Sequence, residues 1–294
     1  MFDPRSPYHR RMWHYESDRP LSAAQLVSLG SLDARTAALL WLLIERHSSV
    51  IVSGPTDPTP GIGKTTTLNA LLGFLAPGTT LVYTMGMYED FEFKEQVEPE
   101  STCVLANEVS NHLMIYMWGS TARKLLRLPS ERYAIATSCH ADTVTDVLEM
   151  LTYDLKLRPA DIGRLGIIVN IGVVGQVWPP RRRFLTVNYA APAADDADGE
   201  IEKQFGIRLL PLSTWDPTTD TFIPADQAVL DELADMVGMS PEAFTQALAR
   251  REQRLVELGA GRGASIRMMR DVVDTLVEEE QAAVNGDSTH ESES

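Results

Sequence analysis

The feature that most constrains the fold is a glycine- and proline-rich loop between a short apolar strand and a helix. The strand is predicted at Val50–Val52, the loop carries Gly61-Ile62-Gly63-Lys64-Thr65, and the helix ends near Leu75. Loops in this context are typical of phosphate binding, because glycines let backbone amides point at phosphate oxygens. In such a loop Lys64 reaches the β- and γ-phosphates and the Thr65 hydroxyl ligates Mg²⁺. The sequence therefore predicts a nucleotide site here.

The loop is longer than the usual G-x-x-x-x-G-K-[ST] spacing. Gly54 is the nearest glycine that follows the strand, and removing Asp57-Pro58-Thr59-Pro60 would restore the pattern. We interpret these four residues as an insertion, whose two prolines lack N–H donors and whose Asp57 brings a negative charge near an anion site. The alternative is that Gly-Lys-Thr is a chance helix start.

Composition and charge exclude several classes of protein. A net charge of −15 over 294 residues disfavours a general binder of nucleic acid or anionic membranes, so no nucleic-acid partner is expected. Two cysteines, Cys103 and Cys139, cannot form a disulfide framework, which fits a reducing cytosol. The polar start of the chain does not resemble a signal peptide, and the longest apolar run, 37–44, is too short to span a bilayer. We therefore expect a cytoplasmic protein with buried free thiols.

Strand and helix patterns alternate along the first two thirds of the chain. This alternation predicts an α/β fold with a parallel sheet, whose loops at the carboxyl ends of the strands share one crevice. The predicted strands are 50–52, 80–84, 102–106 and 133–137, followed by an antiparallel hairpin of 165–174 and 183–189. The predicted helices are 22–30, 31–46 with Ser31 as N-cap, 64–75, 112–128 and 143–155, and later 226–237, 240–258 and 265–280.

The chain divides into five predicted regions. Residues 1–21 are an N-terminal arm, 22–189 the nucleotide-binding domain, 190–206 a linker, 207–284 a C-terminal hairpin with helices, and 285–294 a disordered tail. The hairpin is predicted from strands 207–212 and 221–223 around a Trp215–Asp220 turn. The basic run Arg181–Arg183 lies where the predicted turn 176–182 meets the strand 183–189, and it is either a solvated turn or a surface for an acidic partner.

Polar side chains follow the predicted parallel strands. An acidic segment, Tyr88–Glu92, follows the second strand, Glu108 the third and His140 the fourth. We expect Lys64, Glu92, Glu108 and His140 to face one site. Glu108 could instead be an acidic loop start, and His140 a structural histidine.

Four motifs together carry a resemblance to a known family: SGPT…GIGKTTTLNALL, YEDFE, LANEVS and ATSCHADTVTDVL. By these motifs the sequence resembles the type II/IV secretion-system ATPases, the motors of protein secretion and type IV pilus assembly. The resemblance covers roughly residues 32–157 and extends through STWDPTTDTF into the C-terminal helices. It implies a RecA-like P-loop fold that binds ATP with Mg²⁺. It also implies a homo-oligomer, a hexamer in that family, at the cytoplasmic side of an inner-membrane platform protein.

The resemblance also implies roles for individual residues. His140 falls on the histidine-box residue and Glu108 on the Walker B glutamate, behind Mg²⁺ and reaching it through water, with Thr65 as the other metal ligand. Glu89, Asp90 and Glu92 fall on the acidic box, where Glu92, with Glu89 as the alternative, would position water. The nucleotide-binding set is Gly54, Gly61, Ile62, Gly63, Lys64, Thr65 and Thr66.

The sequence also departs from that family. The insertion lengthens Walker A, Asn107 stands where glycine is usual, Ser110-Asn111 replaces an Arg-Asp pair, and the Thr-x-His-Ala pattern is one residue longer. The connection Phe93–Ser101 is too short to hold the arginine-bearing segment of that family. The arm before Ser22 is likewise too short to hold the family's N-terminal domain. Because such arginines can be worth about 10³-fold or more in rate, we expect slow or partner-dependent hydrolysis.

Two functions remain open at this point. The first is an ATP-hydrolysing motor subunit. The second is a catalytically weak or inactive nucleotide-binding module for assembly or regulation. A small-molecule kinase would need a lid and an acceptor pocket, for which the sequence has no signal.

Overall fold

The computed structural model describes residues 20–55, 61–175, 180–193, 199–260 and 264–291, which form a mixed α/β structure around one eight-stranded sheet. The strands are β1 Val50–Gly54, β2 Thr80–Tyr83, β3 Thr102–Leu105, β4 Ala134–His140, β5 Gly166–Val174, β6 Arg181–Pro192, β7 Ile207–Asp216 and β8 Thr221–Pro224. Their order is β2-β3-β4-β1-β5-β6-β7-β8. The first five strands in this order are parallel, and β5 to β8 are antiparallel. This confirms the α/β class and both predicted hairpins.

Helices cover both faces of the sheet. They are α1 Ala23–Ser28, α2 Ala34–Glu45, α3 Lys64–Leu71, α4 Gly119–Arg127, α5 Val144–Glu149, α6 Pro159–Ile162, α7 Glu200–Phe205, α8 Gln227–Met236, α9 Pro241–Ala260 and α10 Ile266–Glu291. Helix α3 continues as a 3₁₀ turn, Leu72–Phe74, and α5 as a π-helical turn, Met150–Asp154.

Two hydrophobic clusters lie on opposite sides of the sheet, because alternate residues of a strand point to opposite faces. In β1, Val50 and Val52 pack with helices α1, α2, α3, α8, α9 and α10. Ile51 faces the other cluster, with α4, α5, α6 and α7. Cys103 and Cys139 are buried free thiols, one in each cluster, as expected. The central strands are therefore apolar on both faces, as parallel strands covered by helices must be.

The first two helices are predicted correctly in type, but the second begins later than expected. Ser22 and Gln25 form the predicted capping box of α1. The N-cap of α2 is Asp33, whose side chain accepts the amide of Thr36 at 2.8 Å. The prediction of Ser31 as the cap is wrong, because its amide donates to the carbonyl of Leu26 at 2.9 Å and so still belongs to the turn that ends α1.

The prediction of one helix over 112–128 is also wrong, since α4 begins at Gly119. The amide of Met117 donates to the carbonyl of Glu108, and the amide of Ser110 to that of Met117, both at 3.1 Å. The amide of Val109 donates to the carbonyl of Ser138 in β4. These bonds close residues 108–117 into a loop against β4, which fixes the backbone of Glu108 beside that strand.

The predicted linker at 190–206 contains regular structure. Strand β6 continues through Ala190 and Ala191, which pair with β7, and α7 occupies Glu200–Phe205. Hairpin β7–β8 therefore extends the same sheet that begins at β2. Helix α10 reaches Glu291, so residues 285–291 of the predicted tail are helical. Residues 1–19 of the arm and 292–294 lie outside the described residues.

Candidate functional site

The loop before α3 uses backbone conformations that favour glycine. Gly61 and Gly63 have φ values of 55° and 105°, in the left-handed region where a Cβ is strained. Gly54, at the end of β1, lies so close to β5 that a Cβ there would come within 2.7 Å of the Ile171 carbonyl oxygen. All three predicted glycines are therefore needed by the backbone itself. The insertion at 57–60 lies outside the described residues.

The same loop presents backbone N–H groups, next to the start of α3, that donate to no acceptor in the described part of the chain. Within the described ranges, the amides of Ile62 and Gly63 donate no hydrogen bond. Gly63 is the N-cap of α3 and contributes no side-chain cap to the first turn, which carries Lys64, Thr65 and Thr66. Successive free amides at a helix start form a concavity that suits an anion.

Three side chains from neighbouring elements lie in a row of close polar contacts at this edge of the sheet. The Nζ atom of Lys64, at the start of α3, lies 3.0 Å from Nδ1 of His140. The Nε2 atom of His140 lies 2.8 Å from Oε1 of Glu108. His140 ends β4, which pairs with β1 so that His140 lies beside Gly54, and Glu108 follows the adjacent β3. The structure thus brings together three of the four residues expected to share a site.

The hydrogen bond with Lys64 assigns one tautomer to His140. The Lys64 ammonium can only donate, so Nδ1 accepts and the ring proton lies on Nε2, the nitrogen that faces Glu108. Burial, and then the Lys64 and His112 charges, lower the pKa of His140 to about 4, which keeps the imidazole neutral. Burial also lowers the pKa of Lys64, a shift that Glu108 opposes, and raises the pKa of Glu108, a shift that Lys64 opposes. The chain is therefore a lysine and a carboxylate linked by a neutral histidine.

His112 is a further member of the site that the sequence did not identify. Its ring lies 4.8 Å from that of His140, centroid to centroid, at an interplanar angle of 34°. His112 is exposed and belongs to the loop that was predicted to be helical. With residue 112 at the start of a predicted helix, no pattern in the sequence indicated that His112 lies beside His140.

The acidic segment does not join this chain of contacts. Both carboxylate oxygens of Glu89 accept amides of its own loop, from Met85 at 2.8 Å and Phe91 at 2.9 Å. Asp90 is exposed and accepts the amide of Glu92 at 3.0 Å. The Glu92 side chain is exposed and has no hydrogen bond or ion pair in the described part of the chain. A role for Glu92 in positioning water stays a prediction.

The side chains near Lys64 include oxygen ligands of the type that Mg²⁺ prefers. In residues that the structure describes, no group of three or more His, Cys, Asp or Glu side chains could hold a metal alone. Mg²⁺ that accompanies a nucleotide needs only one or two protein ligands, because phosphates and waters complete its shell. The half-buried Thr65 hydroxyl and the buried Glu108 carboxylate are hard oxygen donors of that type. The residues present therefore fit the ion.

Two cavities adjoin the site. One, of about 340 Å³, borders His140 and is lined among others by Asn111, His112, Trp118, Asp146 and Tyr153. The other, of about 450 Å³, borders the loop and is lined among others by Leu26, Gly61, Gly63, Thr66, Thr67 and Arg182.

The basic run Arg181–Arg183 begins strand β6, so the strand prediction is correct for Arg183 and the turn prediction is wrong for Arg181 and Arg182. The connecting turn itself, 176–179, lies outside the described residues. Arg183 is buried and pairs with Asp220, and Arg182 contacts the glycine loop.

No described helix is both long enough and apolar enough to cross a lipid bilayer.

The fold and the site define a mixed α/β protein with a glycine loop and a lysine–histidine–glutamate chain at the carboxyl edge of its parallel strands. No family model matches the chain. It is 42% identical to the uncharacterised protein MJ0900 of Methanocaldococcus jannaschii over 65 residues, which are 22% of this chain and 11% of that protein. The VirB11 ATPase of the Brucella suis type IV secretion system, solved with sulphate, is similar in structure with a TM-score of 0.35 and 16% identity. That likeness covers 57% of this chain and 56% of VirB11. Neither likeness is extensive enough to assign the chain to a family.

Proposed function

We propose that this chain binds ATP with Mg²⁺ at the loop before α3 and hydrolyses it. The observation that carries the proposal is the placement of Lys64, the first residue of α3, which is 8% exposed and directly follows two loop amides that donate to no described acceptor. A desolvated ammonium at a helix start attracts an anion strongly, because water no longer screens its charge. In the bound state, phosphate oxygens replace Nδ1 of His140 as acceptors for Lys64.

The two cavities suit the two ends of a nucleotide. The cavity beside Thr66 and Thr67 lies within the size range of small-molecule pockets and is lined partly by apolar side chains, as a nucleoside requires. The cavity beside His140 and His112 would receive the terminal phosphate side. The glycine loop borders the first cavity, and Lys64 contacts His140 at the second.

Lys64, His140 and Glu108 each have a role in this proposal. Mg²⁺, when bound with nucleotide, would neutralise phosphate charge, with Thr65 and, through water, Glu108 as its protein ligands. Nε2 of His140 lies 2.8 Å from Oε1 of Glu108 and so favours one orientation of the carboxylate. Lys64 offsets charge that develops on the terminal phosphate. Glu92, with Glu89 as the alternative, would position the attacking water.

A second function, a nucleotide-binding module with weak or no turnover, is favoured by the acidic segment. The Glu89 carboxylate already accepts hydrogen bonds from two amides of its own loop, and the Glu92 side chain is exposed. Positioning water from either residue would therefore require the segment to rearrange on binding, or a partner to supply the missing groups.

The motif resemblance extends the proposal to a cellular role. We propose a RecA-like core that acts as a subunit of a secretion or type IV pilus-like assembly system. Such a subunit would form a homo-oligomer, a hexamer by that resemblance, at the cytoplasmic face of an inner-membrane platform protein. Light scattering with and without a non-hydrolysable ATP analogue tests the oligomer directly. A mass of one chain under both conditions would contradict it.

Phosphate release separates the two functions. Steady-state release is measured for wild type, Lys64→Ala, Glu108→Gln and Glu92→Gln, with exposed Lys124→Ala and Glu95→Gln as matched controls. The hydrolase predicts turnover that falls at least about 100-fold in Lys64→Ala and Glu108→Gln, the scale of lost transition-state contacts. It also predicts turnover close to wild type in both controls. ATP binding without turnover in wild type would establish the module, and no ATP binding would contradict both functions.

A further inference from the structure

Arg182, near the start of β6, donates hydrogen bonds to the glycine loop, residues 61–63. Its Nε atom donates to the carbonyl oxygen of Ile62 and its Nη2 atom to that of Gly61, both at 3.0 Å. Its Cδ atom lies 3.1 Å from where a Cβ of Gly63 would stand, so the arginine stem packs against this glycine. One planar guanidinium therefore holds two successive peptide groups of the loop from one side.

Because peptide groups are planar, the direction of each carbonyl fixes the direction of the next N–H group. In a trans peptide the N–H of each residue points opposite to the preceding carbonyl. Because the carbonyls of Gly61 and Ile62 point at Arg182, the amides of Ile62 and Gly63 point away from it. Neither of these amides donates a hydrogen bond within the described ranges.

The base of Arg182 is itself held in place. Its neighbours in β6, Arg181 and Arg183, pair with Asp220 of the β7–β8 turn. Arg183 donates to both Asp220 oxygens, at 2.8 Å and 2.9 Å. Alternate residues of a strand point to opposite faces, so these two pairs fix the strand while Arg182 projects to the loop.

We propose that Arg182 is a positioning residue that presets the glycine loop for phosphate by holding the Gly61 and Ile62 carbonyls outward. This inference rests on the proposed function for its ligand, a nucleoside diphosphate or triphosphate, but its structural part stands without nucleotide. Preset amides bind anions more tightly because the loop loses less conformational entropy on binding.

The test compares Arg182→Ala, Arg182→Lys and, as a control, Arg164→Ala in the full chain, since Arg164 is exposed and lies before β5. Hydrogen–deuterium exchange without nucleotide should rise at residues 61–66 in Arg182→Ala and stay at the wild-type level in Arg164→Ala. The affinity for ADP should fall at least about tenfold in Arg182→Ala, the scale of hydrogen bonds to a charged group. Arg182→Lys should recover only part of this loss, because a lysine cannot hold two carbonyls in the same fork.

The outcomes separate this inference from the proposed function. Wild-type exchange at 61–66 in Arg182→Ala would overturn the inference, whatever the protein binds. Increased exchange with unchanged ADP affinity would also overturn it, since the loop would then not need presetting. Raised exchange across the whole sheet would show that Arg182 acts only on stability. Failure of wild type to bind ADP and ATP would overturn the proposed function and the phosphate role of Arg182 together.

Discussion

At the scale of single residues, His140 determines how the site is charged. It connects Lys64 and Glu108, so that the lysine ammonium and the carboxylate are held apart by one neutral ring. Protonating that ring would place a second cation against Lys64 in a largely buried position. The site is therefore built for a neutral histidine, and acid should disrupt it.

This arrangement predicts a pH-dependent contribution to stability. The pKa of His140 is lowered to about 4 in the folded chain, against 6.5 for an ordinary histidine. Between these values the unfolded state binds a proton that the folded state does not, so this contribution is complete above about pH 6.5 and is lost as the pH falls towards 4. Urea unfolding at pH 7 and pH 4.5 should show wild type losing about 1–3 kcal/mol more than His140→Gln. We place the value below the full shift because the side chain is 20% exposed.

A matched control is His47→Gln, at a histidine that precedes the amino end of β1, away from the site. If wild type and His140→Gln lose the same free energy of unfolding between the two pH values, the neutral-histidine account is wrong.

Sequence reasoning located Lys64, Glu108 and His140 because each follows a predicted strand, and parallel strands bring their carboxyl ends together. It missed His112 and Arg182 because their positions depend on how a loop and a hairpin fold back on the sheet. Arg182 reaches the glycine loop across 120 residues of chain, and no local pattern encodes such a contact.

At the scale of elements, strands and capped helices were predictable, whereas the loops that hold the site were not. The Ser22 capping box and the alternation of β1 are local signals. The loop 108–117 has apolar residues at near-helical spacing, but hydrogen bonds to β4 and within the loop outweigh that preference. Alanines at 190 and 191 looked like a linker because only pairing with β7 makes them a strand.

The β7–β8 turn should support the start of β6 through one carboxylate. Asp220 accepts hydrogen bonds from Arg183 and from Nε1 of Trp215, and these lower its pKa. Asp220→Asn keeps a side chain that tolerates the observed φ of 53°, so it removes mainly the charge. Hydrogen–deuterium exchange should rise at residues 180–185 in Asp220→Asn.

Asp216→Asn is the control for that prediction, because Asp216 bonds only Thr218 and Thr219 of the same turn among its described partners. Equal exchange at 180–185 in both variants would show that the arginines do not depend on Asp220.

At the scale of the whole molecule, a buried arginine joins three helices on one face of the sheet. Arg251 in α9 is fully buried and pairs with Glu45 at the end of α2 and Glu280 in α10. Its guanidinium carbon lies 5.5 Å from the ring centroid of Trp41, whose Nε1 donates to Glu45 at 2.7 Å. The sequence showed these charges on helices but not that they would meet in the interior.

Removing this arginine should be costly, because the buried carboxylate of Glu45 would lose its cation and Glu280 would keep only its contact with Arg250. Arg251→Met should lower the free energy of unfolding by about 3–5 kcal/mol. Its half-exposed neighbour, Arg250→Met, should cost about 1 kcal/mol or less. Urea unfolding at pH 7 measures both. A loss below about 1 kcal/mol in Arg251→Met would show that the helices are held by apolar packing alone.

The central claim is that Lys64 and the glycine loop bind the phosphates of ATP. Titration calorimetry of ATP with Mg²⁺ into wild type, Lys64→Ala and Lys124→Ala tests it most directly. We predict binding to wild type and Lys124→Ala, and an affinity at least about tenfold lower in Lys64→Ala, the scale of a lost charged contact. Equal affinity for wild type and Lys64→Ala, or no binding by wild type, would contradict the claim.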